Sequence, residues 1–330
     1  MDPLTHSLTG VLMSRAGLER LTRRASWILL LAANAPDIDI VAALGGSLNY
    51  LHYHRHITHS LVMLPVLPLG CVLLVRLASR RPLNWLGAYL IALIGVGSHL
   101  ILDLTNIYGV RLLLPFSGRW LGWDITGVID FWIWGALLLA MFAPFVARLV
   151  NAEIGAATRT KGGARRGFAI FALVFLFFYD GARAVVHTRA MAILDSRVYN
   201  GAAPRRVAAL AAENPFRWRG LIETADSYVI EEVNLLAEFN PSAHPYYKPE
   251  PSPVIDTARR TEVFQEFLRF AQFPLWQITP VDEVEGGTRV EALDLRFGSP
   301  QQPGFVATAI LDAHQQVTRA WFQFGPPRPR

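Results

Sequence analysis

Residues 82–102 read PLNWLGAYLIALIGVGSHLIL and carry no charged side chain. As an α-helix this stretch is about 30 Å long, the thickness of a bilayer's hydrocarbon core, so it reads as a membrane span. Three more stretches approach that length. Leu61–Val75 is charge-free and stays apolar past Arg76 to Ala78, with Pro65 and Pro68 expected to kink it. Phe131–Ala147 is extended backward by Gly127–Ile129, and Gly167–Tyr179 continues to Val186 across Asp180 and Arg183. Ahead of these, Leu8–Leu18 and Ser26–Ala35 are too short to span alone and are separated by Arg20, Arg23 and Arg24. That pattern predicts a re-entrant or interfacial helical hairpin. Arg23-Arg24 followed by Ala33-Asn34-Ala35 imitates a secretory leader, but cleavage there would discard His6, so the segment is read as part of the folded chain.

Composition divides along the same line. The chain has 330 residues, 52% hydrophobic and 17% charged, with a mean hydropathy of +0.29, whereas a soluble domain carries about 25% charged residues. The apolar content excludes disorder, and the lone Cys71 excludes a disulfide scaffold. Residues 1–187 hold 16 Lys/Arg against 9 Asp/Glu, and residues 188–330 hold 15 against 17. The basic excess therefore belongs to the apolar half, as in positive loops flanking membrane spans; no nucleic-acid partner is expected.

The loops orient the spans. Arg76, Arg80 and Arg81 follow the first span, and Arg148, Arg159, Lys161, Arg165 and Arg166 link the third and fourth. Residues 106–126 hold only Arg111 and Arg119. The positive-inside rule puts the first two loops in the cytoplasm, and the third, with residues 188–330, on the extracytoplasmic face. That tail has strand-like stretches at Trp218–Thr224, Ser227–Leu235, Leu275–Val281, Thr288–Phe297, Gly304–Leu311 and Gln316–Phe324, with helical spacing at Ala203–Glu213 and Thr257–Gln272. The expected architecture is a multi-pass α-helical membrane bundle (residues 1–187, about four spans plus the N-terminal hairpin) followed by a C-terminal soluble α+β domain (residues 188–330).

Six of the nine histidines fall before residue 100, in a region otherwise poor in polar groups. Ionisable groups at membrane depth are expensive, so each marks a candidate site. They are His6, the acids Asp37 and Asp39 of APDID, His52, His54, His56 and His59 of HYHRHITHS, and His99 with Asp103 of SHLILD. His99 and Asp103 are four apart, on one helical face, and His56 and His59 are three apart. Antiparallel neighbours bring these ends together, and the hairpin returns His6 and Asp37/Asp39 to the same end. Imidazole and carboxylate donors without a thiolate suit one or two divalent ions, zinc first, then manganese or iron. Asp37 or Asp39 can serve as the base. Asp130, abutting the third span, is a further candidate ligand, with helix capping as its other role. His52 and His54 read as loop groups or as groups behind the ligands, and the alternative role for Asp103 is an ion pair with Arg111.

MDPLTHSLTG, APDID, HRHITHS and SHLILDLTNIYG in this order resemble the bacterial inner-membrane metal-dependent hydrolase family, some members of which are described as LexA-binding. That family looks distantly similar to the zinc-dependent phospholipase C and S1/P1 nuclease group. The resemblance implies a metal set of His6, Asp37 or Asp39, His56 or His59, and His99 with Asp103, in which Asp103 bridges two metals. The group's later His…His-x-x-x-Glu has no counterpart here, which argues against three metals. Together these readings lead to an expected function: a membrane hydrolase that attacks a phosphoester, lipid-linked where the site meets the headgroups, with membrane lipids as its surroundings. The competing expectation is a non-catalytic membrane protein with a structural metal and an interaction domain.

Overall fold

The computed structural model describes residues 1–79, 82–153, 163–281 and 284–325. Arg80, Arg81, Arg159 and Lys161 of the orienting loops lie outside them. Packing divides the chain into two units: Met1–Asp39 with Arg55–His187 and Ala211–Pro215, and Ile40–His54 with Thr188–Leu210 and Phe216–Arg330.

In the first unit α1 (Pro3–Ala16) starts on Asp2, whose carboxylate accepts the Leu4 and Thr5 amides, with Pro3 at the position that needs no donor. It stops at Gly17, whose positive φ of 142° suits glycine. α2 (Ala25–Ala32) is followed by a 3-10 stretch, Pro36–Gly45. This pair, expected as part of a re-entrant or interfacial hairpin too short to span, is by length and composition either a broken span or a re-entrant loop. Residues 61–65 form turns, and α4 begins only at Val66, after α3 (Ser47–Tyr53). α4 (Val66–Ser79) therefore has 14 residues, about 21 Å, and is short of the bilayer core. Among the described residues three helices are long and apolar enough to cross: α5 (Trp85–Thr105), α6 (Phe131–Glu153) and α7 (Gly163–Asp195). Half of the apolar window of α5 is buried, against 22% in α6 and α7. α5 is thus the inner helix, while Phe142, Phe145, Phe177 and Phe178 point outward, where lipid replaces water. Two apolar cores result. Ile28, Leu29, Val72, Ile91 and Val96 join α2, α4 and α5; Leu8, Leu12, Ile133, Leu137 and Ala172 join α1, α6 and α7.

The second unit carries two four-stranded antiparallel sheets. One has the order β1 (Arg206–Ala211), β2 (Arg217–Glu223), β3 (Ser227–Asn234), β4 (Tyr246–Tyr247). After α8 (Pro253–Arg259) and α9 (Glu262–Phe270) come β5 (Pro274–Val281), β6 (Gly287–Asp294), a small ribbon of β7 (Gly298–Ser299) and β8 (Gln302–Pro303), then β9 (Phe305–Leu311) and β10 (Val317–Phe324). The second sheet has the order β10-β9-β6-β5. α9 buries Phe264, Phe267 and Phe270, and Phe267 and Phe270 lie against Phe322, Phe297 and Phe305. The helix expected over Ala203–Glu213 is strand β1. A short alanine-rich run is ambiguous by itself, and pairing beside β2 decides it. The helix expected over Thr257–Gln272 is broken into α8 and α9, with Thr261 capping the second through the Phe264 amide.

Candidate metal centre

Close helix approach assembles the site. A Cβ on Gly10 of α1 would stand 2.7 Å from the Leu29 carbonyl oxygen of α2, and one on Gly95 of α5 would stand 2.8 Å from Ala32 Cβ. Only glycine lets both helices lie this near α2. One helical turn from each glycine sit His6 and His99, whose rings stack with centroids 3.8 Å apart. His99 Nδ1 lies 2.7 Å from the carbonyl oxygen of Ala33 at the end of α2. A carbonyl only accepts, so Nδ1 holds the hydrogen and Nε2 presents its lone pair.

His59 ends the short 3-10 turn Ile57–His59. Its Nδ1 lies 3.1 Å from Asp39 Oδ2, which also accepts from the Arg55 amide at 2.8 Å and the Thr58 hydroxyl at 3.0 Å. Carboxylate pairing of one imidazole nitrogen is how metal-binding histidines are usually oriented. The other nitrogen, Nε2, is 3.2 Å from His99 Nε2, 3.4 Å from Asp37 Oδ1 and 3.3 Å from Asp103 Oδ2. His99 Nε2 is 3.6 Å from Asp37 Oδ1 and 3.4 Å from Asp103 Oδ2. Four donor atoms, one each from Asp37, His59, His99 and Asp103, fall within 4.8 Å of one another. Tetrahedral ligands about 2.0–2.2 Å from an ion lie roughly 3.3–3.6 Å from each other, so this spacing fits a divalent ion.

The electrostatics fit as well. Asp103 is fully buried, and its Oδ2 has no hydrogen-bond partner among the described residues. Oδ1 accepts from Arg55 Nη2 at 2.9 Å and from Asn106 Nδ2 at 3.4 Å, and it contacts the Met1 amino group. Burial works against a charge on His59, but the surrounding carboxylates of Asp103, Asp37 and Asp39 outweigh that and push its pKa up to about 10. The carboxylates thus favour a positive charge at this place, and a metal ion can take the place of that proton. Burial and then the neighbouring His99 hold His6 down to about 3, a neutral ring. Neither His6 nitrogen makes a hydrogen bond among the described residues, and Nε2 lies 3.4 Å from Asp103 Oδ1.

Residues 1–190, which contain every one of these donors, match the YdjM inner membrane protein family. The chain belongs to that family. Residues 253–324 match the YfhP C-terminal alpha/beta plait domain. Over 324 residues the chain is 24% identical to a Bacillus subtilis (strain 168) protein described as uncharacterized protein YfhP, covering 93% of this chain and 90% of the relative. No solved structure matches.

The expected candidates therefore separate. Asp37, His59, His99 and Asp103 converge, His6 stacks beside them, and Asp39 orients His59 from its far nitrogen. His56 is outside the donor group: it precedes the 3-10 turn as its N-cap, with non-helical φ −88° and ψ −131°, so the spacing of three does not place it on His59's face. Asp130 is also outside it. Its Oδ1 accepts from the Trp132 and Ile133 amides at 3.0 and 3.2 Å, and Tyr179 donates to its Oδ2 at 3.0 Å, so it caps α6. His52 and His54 belong to the second unit, where His52 Nδ1 lies 2.7 Å from Glu266. Asp103 pairs with Arg55, not with Arg111. Nothing in the spacing singled out Arg55, which stands inside the HYHRHITHS motif.

Proposed function

We propose that this protein is a membrane-embedded metal-dependent hydrolase whose substrate is a phosphoester presented at the lipid headgroups. The convergence of His59 Nε2, His99 Nε2 and the Asp103 carboxylate, each fixed by a partner on its other side, carries the reading. Two imidazoles and a carboxylate are a common catalytic zinc set that keeps a fourth position open. A bound zinc, manganese or iron supplies Lewis acidity toward water and a phosphoryl oxygen.

The chain's own groups then have distinct tasks. Asp37 is the exposed member: its side chain is 17% exposed, against 0% for His59, His99 and Asp103. It is the group that can take a proton from the attacking water and pass it outward. Asp39, engaged by the Arg55 amide, Thr58 and His59, positions and does not accept that proton. Lipid-linked substrate is supported by the place of His99 and Asp103 in the last two turns of α5, one of the span-length helices. Arg76 near the end of α4, and Arg148, Arg165 and Arg166 on α6 and α7, support the extracytoplasmic face for the site by the positive-inside rule.

The competing reading is a structural ion with Asp37 as its fourth ligand and no catalysis. Asp37→Asn in the full chain, purified in detergent, separates the two. The hydrolase should keep its metal and lose about 10²–10⁴-fold in hydrolysis of headgroup phosphodiesters and monoesters. Loss of metal with no hydrolysis in the unsubstituted protein would favour the structural ion. Absence of metal in the unsubstituted protein would defeat both.

A further inference from the structure

We propose that Arg55 takes the position a second cation would need and so confines the centre to one ion, an inference that rests on the metal reading above. In a two-metal site a bridging aspartate gives one oxygen to each ion. Asp103 is divided differently. Oδ2 faces His59 Nε2 and His99 Nε2 at 3.3 and 3.4 Å, while Oδ1 receives Arg55 Nη2 at 2.9 Å. His6 Nε2 lies 3.4 Å from that same Oδ1. An imidazole and a carboxylate oxygen thus stand beside one another, and the charges that meet that oxygen are the Arg55 guanidinium and the Met1 amino group.

Arg55 is built to stay there. Its Nη1 donates to Asn106 Oδ1 at 3.1 Å and to the Gly109 carbonyl at 3.0 Å, and its guanidinium carbon lies 4.8 Å from the Tyr108 ring centroid. The residue is buried, and its backbone adopts a left-handed φ of 54°, uncommon for a side chain of this size. In that conformation its amide also reaches Asp39 Oδ2 at 2.8 Å. One residue therefore neutralises the buried carboxylate from one side and fixes, through Asp39, the ring that faces the ion from the other. A fixed organic cation costs no ligand exchange and repels a second metal.

The test is metal stoichiometry by mass spectrometry on the full-length protein in detergent, equilibrated with zinc. The unsubstituted protein should hold one ion per chain and Arg55→Lys, which keeps the charge, also one. Arg55→Met, which keeps bulk and removes charge, should take up a second ion, and His6→Ala in that background should return it to one. Two ions in the unsubstituted protein, or one in a folded Arg55→Met, overturns the inference while leaving the metal site standing. If Arg55→Met does not fold, the count in the unsubstituted protein decides alone. No ion in any of them overturns the metal reading itself.

Discussion

His99 and Ala33 are joined by a 2.7 Å hydrogen bond from the imidazole Nδ1 to the backbone carbonyl oxygen, and that bond selects the nitrogen that faces the carboxylates. Ala33 is the C-cap of α2, where carbonyls lack intrahelical partners, so the bond satisfies the helix end as it orients the ring. Register between α2 and α5 consequently sets which His99 nitrogen faces the carboxylates.

Gly95→Ala tests that register. Its methyl would stand 2.8 Å from Ala32 Cβ, so the helices must part. Overpacking of this kind costs about 1–3 kcal/mol, and on the proposed metal reading the affinity for an added divalent ion should fall with it. Gly97→Ala, where nothing lies within 4 Å, should change neither. Thermal unfolding in detergent and chelator competition read both effects; equal behaviour of the two variants would refute the role of the close approach.

Asp39→Ala removes the acceptor on His59 Nδ1. The expected result is a metal affinity about 10–100-fold lower in a folded protein, the usual effect of losing such a partner. Chelator competition measures it, and an unchanged affinity would mean that the Thr58 hydroxyl, 3.2 Å from Nδ1, suffices to hold the ring.

Asp130→Ala should separate capping from metal binding. Loss of its bonds to the Trp132 and Ile133 amides should destabilise α6 by about 0.5–2 kcal/mol. Metal content should stay unchanged. Metal loss at unchanged thermal stability would return Asp130 to the ligand set.

A pH effect belongs to the second unit. Burial opposes ionisation of Glu223, but Lys248 at 2.8 Å and Arg206 at 2.9 Å overcome it and hold its carboxyl below the usual range. A folded-state pKa below the unfolded value stabilises the protein above the unfolded pKa, roughly 4.3. That contribution is lost as pH falls through the lower folded value. Acid unfolding of the full chain, followed by circular dichroism, should therefore be less steep in Glu223→Gln, and identical profiles would show that the pair contributes nothing.

Much of this was written in the chain at short range. The uncharged 82–102 run required a buried or lipid-covered helix, because so apolar a segment has no stable place in water. Strand-like composition and partial alternation at Trp218–Thr224 and Ser227–Leu235 pointed to strands, and His99 and Asp103 shared a face by helical period alone. Where local preference was weak, the tertiary structure decided. An alanine-rich run became β1 by pairing with β2, and residues 61–65 went to turns, leaving α4 too short to cross. The chain named its histidines and acids but not their tasks: Asp39 turned away to hold His59, Asp130 capped α6, His56 stayed outside, and Arg55 closed on Asp103 across 48 positions. Which atom faces the centre depends on what occupies the other side of each ring and carboxylate, and those partners, Ala33 O among them, are backbone or distant groups that come together only when the helices pack.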